Sequence, residues 1–351
     1  MVCGYLAWNT TCFERLRAER RPVSARSQPT IANRPVLIIS SIVDLATDAV
    51  VDELSHRNVP VLRINTEDYP FSGRFDYRLG TSSKSLIFAD LIASESFRSI
   101  WYRRVRVPAR PDSMDQGVYE FCIRESRSAL LGGILGQSDR CMSQPEAIWK
   151  AEFKPYQLNV ARQLGLLIPN TLISNVPDSV LAFFGSCNGQ MIAKPVRSGH
   201  IIQNGVDCAV YTTKIGPGDL QDLNDASLSP VIYQELIPKR FDIRVTVVGR
   251  RIFAAAIDSQ TDPEATIDWR RTSNPKLPHR AVNLPSDLQN QILALMDVMS
   301  LHYGAIDFIL TPDGQYIFLE MNPNGQWLWL DDMLSFGISS EIAVWLARES
   351  D

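Results

Sequence analysis

The sequence predicts an α/β protein (α+β in detail) assembled from more than one unit. Three observations carry this reading. The chain opens strand–helix–strand from Val36. Its middle alternates short apolar strands with an amphipathic helix. Two hairpins then flank a helix between Ile243 and Met321. The 351 residues are 45% hydrophobic and 21% charged, which is globular composition with room for two or three small domains.

The first 34 residues stand apart, with six arginines (Arg15, Arg17, Arg20, Arg21, Arg26 and Arg34) and little periodic pattern. They read as a poorly ordered basic extension, or as an arm that touches a partner. No basic n-region is followed by an apolar run, so a secretory signal is not expected.

A first α/β unit is predicted over 35–144. Val36–Ser41 (VLIISS) suits a buried parallel strand, Leu45–His56 a helix and Val59–Ile64 a second strand. A further strand ends in the basic, aromatic cluster IWYRR at 100–104, and a helix covers Tyr119–Leu135. The second unit, 145–232, begins near Pro145. Pro155 fits the first turn of a helix ending at Gly165, with Tyr156, Val160 and Leu164 on one face. Strands follow at Thr171–Ser174, Gln190–Pro195, Cys208–Lys214 and Val231–Ile237.

The third unit, 233–351, opens with a hairpin whose arms, Ile243–Val248 and Arg251–Ile257, flank Gly249-Arg250. A polar, proline-bearing loop spans Asp258–Leu284. Ser286-x-x-Gln289 has the form of a capping box opening a helix, with Gly304 as its stop. The second hairpin pairs Ala305–Leu310 with Tyr316–Met321 through Pro312-Asp313-Gly314, and a last helix covers Ser340–Arg348.

Composition excludes several classes. The formal charge is −4 with no domain-wide basic excess, so no nucleic acid is expected as partner. No apolar run approaches the ~18 residues a membrane span needs, so no membrane is expected either. Six scattered cysteines (Cys3, Cys12, Cys122, Cys141, Cys187 and Cys208) without a C-x-x-C pair read as reduced thiols of a cytoplasmic protein. His56, His200, His279 and His302 have no metal-binding spacing.

Chemistry concentrates in the second hairpin. Glu320 and Asn322, two apart on a strand, share a face, and the turn can bring Asp307 beside them. Two carboxylates and an amide oxygen form a hard-oxygen set that suits Mg²⁺. The same spacing also allows an acidic pair satisfied by arginines. Lys154 precedes a helix N-terminus, where it is either a solvated lysine or a phosphate contact. Lys194 ends the apolar strand GQMIAK, with Ser198-Gly199 just beyond, a place suited to a phosphate oxygen. Asp242 and Arg244 alternate on a strand, and Arg270 lies in Asp268-Trp269-Arg270-Arg271; alone, either group passes for salt-bridge partners.

The string AIDFILTPDGQYIFLEMNPNGQW closely resembles the metal-binding end of ATP-grasp ligases, over a span from about Pro145 to the C-terminus and more weakly upstream. Within that superfamily the chain resembles the graspetide (microviridin-type) peptide macrocyclases most, through IWYRR, KRFDIRVTVVGRRIFAAAIDSQ at 239–260, DWRR at 268–271 and NPNGQW at 322–327. RimK-like glutamate ligases share the DIR and DxR elements. The resemblance implies an ATP-grasp fold behind an N-terminal pre-ATP-grasp domain, with ATP and Mg²⁺ as cofactors. It implies Lys154 and Lys194 as the nucleotide lysines, and Gln234, Glu235, Leu236 and Ile237 as the hinge that meets adenine. It sets Asp242 near the ribose or the catalytic centre, Arg244 near the reacting carboxylate and Arg270 at the γ-phosphate. Asp307, Glu320 and Asn322 become the metal ligands.

The implied activity is ADP-forming ligation that crosslinks a precursor peptide through acyl phosphates, in a homodimer. Asp219, Asp222 and Asp225, in the acidic segment 215–229, become candidates for gripping the leader, although a solvated acidic loop reads the same. Two other readings stay open at this point: a RimK-like addition of a free amino acid to a carboxylate, and a non-catalytic relic that binds nucleotide or peptide.

Overall fold

Val36–Ser40 (β1) is buried along its whole length, which is why its run VLIIS carries no alternation. The helix Leu45–His56 (α1) leads to Val61–Asn65 (β2), which pairs with β1 in parallel. A three-stranded antiparallel meander follows: Phe75–Leu79 (β3), Lys84–Phe88 (β4) and Leu91–Ala93 (β5). The chain returns as Ser99–Tyr102 (β6), parallel to β1 on its other side. Gln116–Leu135 (α2) begins at Asp115, whose carboxylate accepts from the N–H groups of Gly117 (2.8 Å) and Val118 (3.3 Å). The computed structural model describes residues 34–81, 84–88, 91–93, 97–136, 141–197, 199–203, 206–221, 223–274 and 277–348. The predicted N-terminal extension therefore lies outside the described residues, apart from Arg34.

Pro145–Ala151 (α3) and Lys154–Gln163 (α4) are separated by a short kink. Gly165, at φ +79°, follows α4 in the left-handed conformation that ends a helix. Thr171–Ser174 (β7), the helix Pro177–Ser186 (α5), Met191–Lys194 (β8), His200–Gln203 (β9), Val206–Ala209 (β10), Thr213–Ile215 (β11) and Val231–Glu235 (β12) complete the middle stretch. Four of these strands form one sheet in the order β11-β8-β12-β7, and β9 and β10 pair separately. The strand read at Cys208–Lys214 is thus two strands, because the chain leaves β10 at Val210 and joins another sheet at Thr213.

Phe241–Val248 (β13), Arg251–Ile257 (β14), His279–Ala281 (β15), Tyr303–Leu310 (β16) and Tyr316–Asn322 (β17) make an antiparallel sheet in the order β15-β14-β13-β16-β17. Gly249, at φ +58°, makes the predicted turn between β13 and β14. Ser286–Met299 (α6) packs Leu288, Ile292, Leu295, Met296 and Met299 on the sheet as the periodicity requires. Its ends differ from expectation. Pro285, not Ser286, occupies the N-cap, with no side-chain cap, and Gln289 turns back to the carbonyl of Leu284 at 2.8 Å. Ser300, at φ +55°, ends the helix, while Gly304 lies inside β16 against Met296. Leu328–Leu334 (α7) and Ile338–Ala347 (α8) close the chain, α8 lying on α1.

One apolar core joins Leu37, Ile39 and Ile100 of the first sheet to Ile148, Leu158, Ile243, Ile292 and Phe308. A second one packs Trp101 and Trp327 with Ile342 and Leu346. Among the described residues no helix is long and apolar enough to cross a membrane.

Candidate functional site

The site is built on one row of the large sheet. Arg244 on β13 stands opposite Asp307 on β16, and Asp307 stands opposite Glu320 on β17. Side chains at directly opposed positions share a face, so these three project together. Asn322 follows Glu320 by two and shares that face. The Asp307/Phe308 boundary carries an irregularity in register, a device that re-aims side chains next to a site.

The opposite wall comes from the middle sheet. Lys194, at the end of β8, is 7% exposed, and no hydrogen bond or ion pair partners its ammonium among the described residues. Burial pushes Lys194 down to about 8; Lys154 and Arg270 add repulsion, and the carboxylates of Glu320 and Asp307 partly offset it. Lys154, the first residue of α4, reaches across to Glu320 Oε2 at 3.0 Å and donates to the carbonyl of Pro195 at 3.2 Å. Burial would raise Glu320, but Lys154, Lys194 and Arg270 outweigh it and hold the carboxyl at about 2. Asp307 goes the other way: burial pushes it up to about 6, which Arg244, at 3.3 Å, only partly counters and the Glu320 charge reinforces.

Arg270 comes from the long loop between β14 and β15, so the polar 258–284 stretch does reach the site. Its guanidinium forks onto Asp268 at 2.8 and 2.7 Å, and Asp268 also caps the short turn by accepting from the Arg270 N–H. Sequence reasoning missed Lys239, which bonds both Asp242 oxygens (3.1 and 3.0 Å) and the carbonyl of Ile267. The i, i+3 spacing of Lys239 and Asp242 in KRFD was the available signal. Asp242 is buried and pushed up by that burial, against the pull of Lys239 and Ser259.

A cleft runs between the two sheets, lined by Gln234, Glu235, Leu236, Ile237, Asp242 and Arg270, with Lys194, Asp307 and Glu320 at one end. The Glu235 N–H is taken by the carbonyl of Asn170 (3.0 Å) and the Leu236 N–H by that of Gln190 (2.9 Å). Only Ile237, of this hinge, keeps a backbone N–H without a partner among the described residues. The cleft continues into a polar cavity of about 620 Å³ shared by Lys154, Lys194, Arg270, Glu320 and Asn322. Eleven of the predicted site residues therefore meet in one place: Lys154, Lys194, Gln234, Glu235, Leu236, Ile237, Asp242, Arg244, Arg270, Asp307 and Glu320, with Asn322 at the edge.

Two acidic residues, Asp219 and Asp225, are not brought there. Asp219 accepts from the Gly216 N–H at 2.8 Å within its own turn, and Asp225 is exposed on a second short helical turn, 224–227. Asp222 lies outside the described residues.

The donor set fits Mg²⁺. No group of three or more His, Cys, Asp or Glu gathers among the described residues, but Mg²⁺ takes one or two carboxylates and completes its shell with water and phosphate oxygens. Asp307 and Glu320 are such a pair, each now balanced by a cation that a metal ion would displace. Asn322 Oδ1 accepts from the Asn324 N–H at 2.9 Å, which fixes the amide and leaves its second lone pair.

The fold has known relatives. Residues 35–148 match the family model described as the MvdD pre-ATP grasp domain, on the unit where the sequence resemblance was weaker. The structure is similar to macrocyclase MdnC from Microcystis aeruginosa MRC, solved with precursor peptide MdnA: 34% identity over 89% of this chain and 98% of that one, TM-score 0.79. This chain belongs to the graspetide-type ATP-grasp ligases. The fold is also shared with the RiPP-associated ATP-grasp ligase of Chryseobacterium gregarium, solved with ADP and a leader and core peptide (28% identity, 89% and 96% coverage, TM-score 0.81). Macrocyclase MdnB of the Microcystis strain gives 28% identity, 89% and 99% coverage and a TM-score of 0.73. No curated protein sequence matches the chain. The matched unit carries β1 and β6, and the residues of the cleft come from the two later sheets and the loops between their strands.

Proposed function

We propose that this graspetide-type ligase is an ADP-forming peptide macrocyclase. The observation that carries the reading is Lys194, buried and without a hydrogen-bond or ion-pair partner among the described residues, lining the same cleft as the Asp307–Glu320 pair. A polyphosphate with a divalent cation answers both needs at once: its oxygens partner the lysine, and its metal partners the carboxylates. MdnC was solved with a precursor peptide, and the Chryseobacterium ligase with ADP, leader and core.

In this reading ATP lies along the cleft with adenine at the Ile237 N–H and ribose near Asp242. Lys154, Lys194 and Arg270 hold the phosphate oxygens and balance charge as the γ-phosphoryl group leaves ADP. Asp307, Glu320 and Asn322 would hold Mg²⁺, which supplies charge neutralisation at the phosphates. Arg244 orients an Asp or Glu side-chain carboxylate of the peptide, which takes the phosphoryl group and becomes an acyl phosphate. A Thr or Ser hydroxyl, or a Lys amine, of the same peptide attacks the acyl carbon. Inorganic phosphate leaves, the nucleophile's proton goes to solvent, and an ω-ester or ω-amide closes the ring. Positioning supplies most of the catalysis.

Four finer points belong to the same proposal. The chain divides at 34/35, 144/145 and 232/233. It works in the cytoplasm, consistent with Cys122, Cys141 and Cys187 being free thiols. It forms a homodimer, checked by light scattering. Asp219, Asp222 and Asp225 grip the leader; Asp225 is the best placed, since Asp219 already serves its own turn.

Purified protein, ATP, Mg²⁺ and the peptide encoded by a neighbouring short reading frame rich in Thr/Ser and Asp/Glu test the reading. Loss of one water per closure, with stoichiometric ADP, is expected. A gain of amino-acid mass would establish the RimK-like alternative, and nucleotide binding without turnover would establish a binding relic.

A further inference from the structure

A second cavity, of about 290 Å³, lies outside the nucleotide cleft, between the chain leaving β6, the face of α2 and the C-terminal half of α3. Arg104, Arg106 and Arg127 line it together with Tyr69, Leu131 and Trp149. Its size is near the lower end of ligand clefts, roughly 300–1,000 Å³, so it suits a side chain or two rather than a domain.

The charge in it is uncompensated. Arg104 and Arg106 make no side-chain hydrogen bond or ion pair among the described residues. The carboxylate that acts on Arg104 is Asp44, and Arg103 Nε already holds it at 2.8 Å. Burial, then the charges of Arg103 and Arg106, push the Arg104 guanidinium down. Glu152, the carboxylate in the wall, is engaged by Arg197 at 3.3 Å. Arg104 also sits at φ +45°, a left-handed conformation that a side-chain-bearing residue adopts at a cost of about 1–2 kcal/mol. Strain and unbalanced cations at one point mark a position kept for what it binds.

The wall chemistry narrows the ligand. A site for bare phosphate needs only donors. This one adds the rings of Tyr69 and Trp149 and the aliphatic Leu130, Leu131 and Ile148, which match the methylenes of an acidic side chain and its neighbours. Its place narrows it further. Glu152 and Arg197 line this cavity and also the polar cavity at Lys154 and Glu320. Asn324, in its wall, is two residues from the proposed metal ligand Asn322. A chain seated in the polar cavity at Lys154 and Glu320 thus has a path along Glu152 and Arg197 toward Arg104.

We propose that this cavity is a carboxylate-recognition subsite for the peptide substrate: Arg104 and Arg106 hold an acidic residue other than the one being activated. The inference rests on the peptide-ligase reading above. It makes the enzyme select peptides with more than one acidic residue and sets the register in which each carboxylate reaches Arg244.

The test uses the whole protein and a fluorescein-labelled tetraglutamate peptide, read by anisotropy at low salt, with tetraglutamine as control and inorganic phosphate as competitor. Tetraglutamate is expected to bind about tenfold tighter than tetraglutamine, as one charge-assisted contact allows. Arg104→Gly removes the cation at a φ that glycine adopts freely, so folding is spared. It is expected to weaken tetraglutamate binding about tenfold while Mg²⁺-ATP binding is unchanged. The exposed Arg106→Gln is expected to act in the same direction. Tetraglutamate binding that survives both substitutions, or that phosphate displaces at equal concentration, overturns the subsite. Glu320→Gln separates the two readings: retained turnover there sinks the ligase mechanism, while the loss of tetraglutamate binding on Arg104→Gly reports on the subsite.

Discussion

Asp307 and Glu320 face each other across adjacent strands, yet their carboxyls titrate in opposite directions, Asp307 up to about 6 and Glu320 down to about 2. Both are half-buried, with 18% of each side chain exposed; the difference lies in company. Glu320 has Lys154 at 3.0 Å with Lys194 and Arg270 beyond, while Asp307 has Arg244 at 3.3 Å and its acidic neighbour. Glu320 is thus the permanent anion of the pair. Glu320→Gln is expected to lower ATP turnover roughly 10²–10³-fold, the scale for losing one preorganised electrostatic partner. ADP release in Mg²⁺ measures the loss, and an unchanged circular dichroism spectrum shows that the fold survives. Near-normal turnover would mean that Glu320 holds no metal.

Lys194 carries the pH dependence. Its folded value, about 8, lies below the ordinary 10.5, so between these values the unfolded chain binds more protons than the native one. Stability of the nucleotide-free protein therefore rises with pH across that window, and below it the buried charge costs on the order of 1–3 kcal/mol. Lys194→Met is expected to raise the nucleotide-free Tm at pH 7, with the advantage shrinking as pH passes 8 toward 10.5. The same variant is expected to bind ATP more weakly. Wild-type binding of ATP at pH 8 is expected to take up protons, visible by calorimetry in two buffers of different ionisation enthalpy. A Tm difference that does not change with pH would assign the effect to packing.

Local periodicity made the frame legible. The α1 bounds and the apolar face of α6 follow from spacing alone, because each helix buries one face, and the β7 bounds match the predicted strand. Helix ends were less legible. Ser286 and Gly304 carry cap chemistry, but Pro285 already fixes the entry and Ser300 takes the left-handed turn, leaving Gly304 for close contact with Met296. The site residues on strands were legible because i, i+2 spacing assigns faces. Arg103 was not: it is a buried cation whose partner Asp44 lies 59 residues away, and no local pattern distinguishes it from a surface charge; Lys239 had only its i, i+3 spacing to Asp242 as a signal.

Gly325 ends the NPNG turn that follows Asn322. A methyl group there would overlap the Cβ of Ala305 on β16, and backbone atoms of this turn leave no slack, since Gly325 N–H donates to the Asn322 carbonyl at 3.2 Å. Gly325→Ala is expected to push the turn off the sheet and move Asn322 with it. A loss of about 1–3 kcal/mol on urea unfolding is expected, with a higher Mg²⁺ concentration for half-maximal turnover. Normal Mg²⁺ dependence in a destabilised variant would separate the turn from the metal.

Arg103 ties the first unit to that same turn. Its Nε donates to Asp44 at 2.8 Å with both side chains 1% exposed, and its remaining donors reach Gln326 Oε1 at 2.9 Å and the carbonyl of Gly325 at 3.3 Å. The guanidinium lies 4.3 Å from the Trp327 ring centre. Tyr303 Oη donates to the Gly325 carbonyl from the sheet side at 2.7 Å, so the turn is held from two directions. Asp44→Asn leaves a buried guanidinium without its counter-charge, a change that costs about 3–5 kcal/mol in such pairs. Arg103→Met removes the charge as well but leaves Asp44 buried with the Ser40 and Thr47 hydroxyls and only the more weakly coupled Arg104 charge, so it too is expected to destabilise. The double variant, Asp44→Asn with Arg103→Met, is expected to recover part of the loss, since neither charge then stays unpaired. Urea midpoints of the three variants measure this. Additive losses would mean that Arg103 works through its contacts with Gln326 and Trp327 and owes nothing to Asp44.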